Sequence, residues 1–223
     1  MTLSHDVTGS GPALLLLHAA VCDRRMWEPQ WRALARAGFR VVRPDFRGYG
    51  RTPAATGPYG DAEDVVELLD ALGVARAAVV GSSYGGQVAL ELAARWPERV
   101  ESLALLCSGA QGRDAGADAV AWLGPEASEV VRALVREMQL AATGGGRPTG
   151  SGADPAGVAA RTLIVSGAHD LGHFRSVAAM LAGRIAGARH VELPWAGHLP
   201  NLERPAEVTE LLLDFLRVPA ACG

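Results

Sequence analysis

Short, mainly apolar runs recur along the chain at Ala13–Leu17, Phe39–Val42, Ala77–Val80, Leu103–Cys107, Leu163–Val165 and His190–Leu193. Most lack the in/out alternation of a half-wet sheet, so they predict strands buried on both faces, as parallel strands are. Between them lie stretches whose apolar residues fall at helical spacing. Trp27, Trp31, Leu34 and Ala35 form one stripe, and Val65, Val66, Leu68, Leu69 and Leu72 a second. Val88, Leu90, Leu92 and Ala93 form a third, and Val208, Leu211, Leu212, Phe215 and Leu216 a fourth. Gly38 and Gly73 stand where C-terminal caps are expected, and Pro97 closes the third helix. Strands alternating with helices predict an α/β three-layer fold, a mostly parallel sheet with helices on both faces.

The rhythm breaks from Gly109 to about Ala160, where no strand is expected. Val120, Trp122, Val130, Val131, Leu134, Val135, Met138 and Leu140 suggest one or two helices, and Thr143 to Gly157 is rich in Gly, Pro and Ser. The pattern predicts a single domain over 1–223, with 109–160 as a short insertion lying over the sheet. At 223 residues the chain can bury one substantial core.

Composition narrows the function. With 49% hydrophobic and 20% charged residues the chain is ordinary and globular. A net charge of −3 and arginines interspersed with acids leave no basic footprint for nucleic acid. The start of the chain lacks a basic region before an apolar stretch, and no apolar run approaches the roughly 20 residues that span a bilayer. A soluble, cytoplasmic protein without membrane partners is expected. Three scattered cysteines, Cys22, Cys107 and Cys222, fit a reducing compartment better than a disulfide framework. A homodimer is left open.

The chemistry concentrates at strand ends. Val79 to Gly86 runs from a strand into a helix through Gly81-Ser82-Ser83-Tyr84-Gly85, a G-x-S-x-G turn. Such a turn holds its central Ser in a strained conformation that pushes the hydroxyl out above the sheet. The positions two before and two after must be small for strand and helix to approach. The following helix directs N–H groups at the site. Ser82 sits outside the central position. A Ser hydroxyl needs a base, and after such a turn the expected order is Ser, acid, His. Asp170 ends the loop after Leu163–Val165, and His198 follows the strand His190–Leu193. Both leave the sheet edge from which Ser83 emerges, where ligands of open α/β sheets collect.

His169 and His173 compete for the role of base but lie in the acid's own loop; without a third spaced ligand they fit a solvated loop rather than a metal site. Glu192 and Glu203 read as surface or structural groups. A second oxyanion donor is expected from His18-Ala19-Ala20-Val21, most simply the Ala20 N–H beside that of Tyr84. His18 itself fits a structural role, and Asp45 to Arg51 fits a tight salt-bridged turn. Arg24 and Arg25 could meet an anionic substrate, with surface exposure the plainer reading. Trp27, Trp122 and Met138 are candidates for an apolar pocket wall, with core packing as the alternative. No cofactor or metal is called for.

Taken in order, His18-Ala19, the D-x-R-G-x-G turn at Asp45–Gly50, the turn at Gly81–Gly85, the G-x-x-D loop at Gly167–Asp170, and Gly197-His198 with Asn201-Leu202-Glu203-Arg204-Pro205 resemble the α/β-hydrolase superfamily over nearly the whole chain. His18 to Trp27 and Gly81 to Val100 look most like the group of 3-oxoadipate enol-lactonases, small esterases and C–C bond hydrolases. The resemblance implies Ser83, Asp170 and His198 as a catalytic triad, with Ala20 and Tyr84 forming the oxyanion hole. It implies hydrolysis of a small carboxylic ester or lactone through an acyl-enzyme. C–C hydrolysis of a diketone-like substrate, or ligand binding on a hydrolase scaffold, are the alternatives. Ser in place of Asp at the turn disfavours epoxide hydrolysis and dehalogenation. Three departures stand out. Ala19 replaces a usual Gly, only Thr2 to Val7 is available for an antiparallel edge, and the insertion is shorter than the family's helical cap.

Overall fold

In a computed structural model of the chain, residues 2–108, 119–142 and 153–217 are described. Cys222 and parts of the insertion, including most of its Gly- and Pro-rich stretch, lie outside them. The strands are β1 (His5–Thr8), β2 (Ala13–Leu17), β3 (Arg40–Pro44), β4 (Ala77–Ser82), β5 (Val100–Leu106), β6 (Arg161–Gly167) and β7 (Arg189–Leu193). They form one sheet in the order β1-β3-β2-β4-β5-β6-β7. Only β1 runs antiparallel, pairing His5 to Thr8 against Pro44 to Val41. The short N-terminal segment therefore supplies one edge strand.

The helices are α1 (Glu28–Arg36), α2 (Asp61–Ala71), α3 (Tyr84–Arg95), α4 (Glu129–Ala141), α5 (Gly172–Arg184), α6 (Pro200–Glu203) and α7 (Pro205–Arg217). Side chains of the central strands alternate between two apolar layers, because successive residues of a strand point to opposite faces. Leu15, Leu17, Val79, Leu103 and Leu105 pack with α2, α3 and α5. Leu14, Leu16, Val80, Leu106 and Val165 pack with α1 and α7. Both faces are covered, which is why these strands read as continuous apolar runs. Gly38 and Gly73 take positive φ just beyond α1 and α2, where a side chain would be strained.

In the described part of the insertion, Ala119–Trp122 forms a single 3-10 turn and α4 follows, N-capped by the Ser128 hydroxyl. Val135 and Met138 turn inward with Trp122 and Leu123, while Val130 and Leu140 face outward. Helix α5 has no counterpart in the sequence stripes. Its inward residues Phe174, Val177, Ala178 and Leu181 are correctly spaced. Ala179, Met180 and Ala182 on its other sides blur the contrast that marks an amphipathic helix. Among the described residues no helix is long and apolar enough to cross a membrane.

Leu16 has no exposed surface, whereas Val130 is 77% exposed. Leu16→Ala should lower the unfolding free energy by about 2–5 kcal/mol. Val130→Ala should leave it within about 0.5 kcal/mol. Urea denaturation of both variants measures this, and equal effects would contradict the layer assignment.

Candidate active site

At the turn between β4 and α3, backbone packs directly against backbone. A Cβ on Gly81 would run into the backbone of Gly85 and Gly86, and one on Gly85 into the carbonyls of Leu17 and His18. Strand, helix and the neighbouring β2 loop approach so closely that only glycine fits. Ser83, between them, is forced to φ 51° and ψ −113°. Such a conformation costs a non-glycine residue about 1–3 kcal/mol and persists only when its surroundings fix it. They do: its N–H donates to the Leu106 carbonyl at 2.9 Å, and its own carbonyl accepts from the Gly86 N–H at 3.0 Å and the Ser108 hydroxyl at 3.3 Å.

The Ser83 Oγ meets His198 Nε2 at 2.8 Å. On the far side of the ring, His198 Nδ1 lies 2.9 and 3.1 Å from the two Asp170 carboxylate oxygens. A carboxylate only accepts, so Nδ1 carries the proton and Nε2 presents its lone pair to the hydroxyl. Asp170 Oδ1 also accepts the Leu171 N–H at 2.7 Å. The three residues predicted from the sequence are thus one continuous chain of hydrogen bonds, all buried. Two loops are stitched together to bring this about. The Ala168 N–H donates to Leu193 O at 3.0 Å and the His169 N–H to Ala196 O at 2.9 Å. Gly167 permits the approach, since a Cβ there would strike the carbonyls of Ala196 and Gly197. His169 and His173 are exposed and form no part of the chain.

The His198 ring is walled by aromatics. Phe174 lies 4.2 Å away centroid to centroid, and Trp122 stands nearly perpendicular at 5.3 Å. Phe174 was not among the predicted residues; it lies in the first turn of α5, a helix whose stripe the sequence does not mark. Trp122, one of the predicted wall residues, therefore borders the site. Trp27 and Met138 are buried in the layer with Trp31 and Leu34, matching the core packing that the sequence left open.

His18 is structural. Its Nδ1–H donates to Ala19 O at 2.8 Å and its Nε2 accepts the Phe46 N–H at 3.0 Å, tying the β2 loop to the β3 loop. The Ala19 N–H donates to Met26 Sδ at 3.2 Å. Among the described residues nothing accepts the N–H of Ala20. Tyr84 is the first residue of α3, so its N–H belongs to the helix's open N-terminal turn. The Asp45–Arg51 turn is salt-bridged as expected: the Asp45 carboxylate takes the Arg24 guanidinium at 2.7 Å and the Arg51 N–H at 2.9 Å. Arg24 is consequently buried, which corrects its expected exposure, whereas Arg25 is exposed as expected. Arg25 is bound by Asp23 and Glu137. Neither guanidinium is left over for an anion. Among the described residues no three His, Cys, Asp or Glu side chains are grouped to hold a metal ion.

Comparison with known proteins bears on the fold. A family profile described as alpha/beta hydrolase fold matches residues 12–135. The crystal structure of the enol-lactonase from Burkholderia xenovorans LB400 is 32% identical, covering 97% of this chain and 96% of that one with a TM-score of 0.82. A 2-hydroxy-6-oxononadienedioate/2-hydroxy-6-oxononatrienedioate hydrolase from Burkholderia vietnamiensis is 37% identical over 120 residues, which is 50% of this chain and 42% of that protein. An epoxide hydrolase from Caballeronia sordidicola is 36% identical over 100 residues, 43% of this chain and 30% of its own length. The chain thus spans less than half the length of these two curated relatives.

Burial pushes the Cys107 thiol well up from its ordinary pKa, and the Asp170 and Glu203 carboxylates push it further. Burial and then Asp23 do the same to Cys22. Thiolate is the reactive form. Iodoacetamide at pH 8 should therefore leave both cysteines unmodified in native protein and alkylate them after unfolding. Peptide mass spectrometry reads this; rapid native labelling of either would contradict the burial.

Proposed function

The chain belongs to the alpha/beta hydrolase fold family, and we propose that within it this protein is a serine hydrolase of small carboxylic esters or lactones. The observation that carries the reading is the hydrogen-bond chain from Ser83 Oγ through His198 to Asp170. His198 Nε2 takes the hydroxyl proton as Oγ attacks the carbonyl, and Asp170 stabilises the imidazolium that forms. The N–H groups of Ala20 and Tyr84 receive the charge developing on the carbonyl oxygen. As the tetrahedral intermediate collapses, His198 returns the proton to the leaving alkoxide. The Ser83 ester remains. A water molecule then gives its proton to His198 and attacks that ester, and the acid leaves as Ser83 regains its proton.

Support for an ester or lactone comes from the enol-lactonase likeness, which extends over nearly all of both chains. The second reading, C–C bond hydrolysis of a diketone-like substrate, is favoured by the relative of that activity that matches half of this chain. Both reactions use the same oxyanion chemistry, so substrate panels must separate them. Epoxide opening finds no support in the turn itself, where Ser83 stands in place of the Asp that epoxide hydrolysis would require.

The test is turnover of p-nitrophenyl acetate and butyrate together with covalent labelling by a fluorophosphonate. Ser83→Ala should lose turnover by about 10⁵-fold or more and all labelling. Asp170→Asn should lose about 10⁴-fold, because the imidazole would be held in the wrong tautomer. Wild type that neither turns over esters nor takes the probe would point to a binding protein instead. Turnover of a vinylogous diketone in preference to esters and lactones would favour the second reading.

A further inference from the structure

Glu203 closes α6, five residues after His198, and its carboxylate is turned back into the protein. It accepts three backbone N–H groups: Gly197 at 2.8 Å and Gly124 at 3.0 Å on Oε2, and Leu199 at 3.1 Å on Oε1. Gly197 and Leu199 flank His198 on either side. Gly124 belongs to the described part of the insertion, just after the Ala119–Trp122 turn. The same two segments are joined a second time by the His198 N–H, which donates to Trp122 O at 2.8 Å. They touch so closely that a Cβ on Gly197 would strike Gly124 and Trp122, and one on Gly124 would strike Glu203 and Gly197.

We propose that Glu203 is a positioning residue for the hydrolytic site. Its carboxylate locks the His198 loop to the insertion at Gly124, fixing both the imidazole and the Trp122 ring at its edge. The proposal rests on the serine-hydrolase reading. A carboxylate is the side chain suited to this task, because two acceptor oxygens can take three converging donors with none of its own to be left facing them. The arrangement is a built site and not a chance contact. It joins segments far apart in sequence, and every donor is main chain, so the lock acts on backbone positions. A large shift of the His198 backbone would strain these bonds.

Displacement of a reacting group by about 1 Å can cost on the order of 10²-fold in rate. Glu203→Ala removes all three acceptors and should lower kcat by about that factor, with KM little changed. Glu203→Gln keeps the shape and one carbonyl oxygen but turns an N–H₂ group toward one donor, so it should fall between Ala and wild type. Both are assayed with p-nitrophenyl butyrate, with kcat expressed per Ser83 that a fluorophosphonate can titrate. A role confined to stability would lower the titrated fraction and leave kcat per titrated site unchanged; that result overturns the proposal.

Wild type inert to both ester and fluorophosphonate overturns the hydrolase reading itself, a different outcome from active wild type with fully active variants. If neither variant folds, hydrogen exchange on the unmodified protein decides. The amides of Gly124, Gly197 and Leu199 should be protected and open together, whereas fast exchange at Gly197 or Leu199 would rule the lock out.

Discussion

The close approach of strand β4 to helix α3 at Gly81 and Gly85 is the constraint on which the rest depends. Removing side chains there lets the chain reverse within a few residues, and the reversal leaves Ser83 no conformation except one with positive φ. The strain is local and its restraint is not. The Leu106 carbonyl from β5, the Ser108 hydroxyl beyond it and the β2 backbone packed on Gly85 all hold the turn in place. The central parallel strands β2, β4 and β5 supply that rigidity because each is hydrogen-bonded on both sides and packed above and below. The hydroxyl therefore does not search for its partner; the scaffold presents it.

What the hydroxyl meets is a buried, hydrogen-bonded Asp170–His198 pair. His198 and the Asp170 side chain have almost no exposed surface, and Phe174 and Trp122 close the imidazole's sides. Low local polarity strengthens the Asp170–His198 attraction and makes any unpaired polar group costly. The molecule meets that demand with main-chain donors: Leu171 for Asp170, and Gly124, Gly197 and Leu199 for Glu203. At Glu203 burial still dominates, raising its pKa despite the three N–H groups. Burial, and after it the Asp170 and Glu203 carboxylates, push the adjoining Cys107 thiol well up from its ordinary pKa.

The parts legible in the sequence are those whose physics is local. Runs such as Ala13–Leu17 signal burial on both faces wherever they occur, and the spacing of Gly81, Ser83 and Gly85 encodes a steric requirement that no distant residue alters. The order Ser83, Asp170, His198 could be read because strand ends lie on one edge of a parallel sheet. Arg24 shows where local reading stops. Its neighbours in sequence suggest a solvated pair, and only folding brings Asp6 and Asp45 around it. Helix α5 was obscured for a related reason: alanines on its outer side carry no polar signal, although Phe174 and Leu181 face the core. Glu203 could be called structural from its position but not assigned a task, since its three donors come from a loop and an insertion whose meeting is a tertiary fact.

The substitution at Ala19 is the instructive departure from the family pattern. A glycine at this position suggests a need for backbone freedom, yet here both ends of the residue are engaged. Its N–H is directed at Met26 Sδ, and its carbonyl accepts both the His18 ring and the Cys22 N–H. His18 in turn is held by the Phe46 N–H, so its side chain braces the β2 loop against the β3 loop. With Ala19 engaged on both sides, the next N–H along the chain, that of Ala20, has no acceptor among the described residues. Ala19 takes no positive φ, so its backbone makes no demand here that only glycine could meet, and the Ala20 N–H is still available to the proposed chemistry.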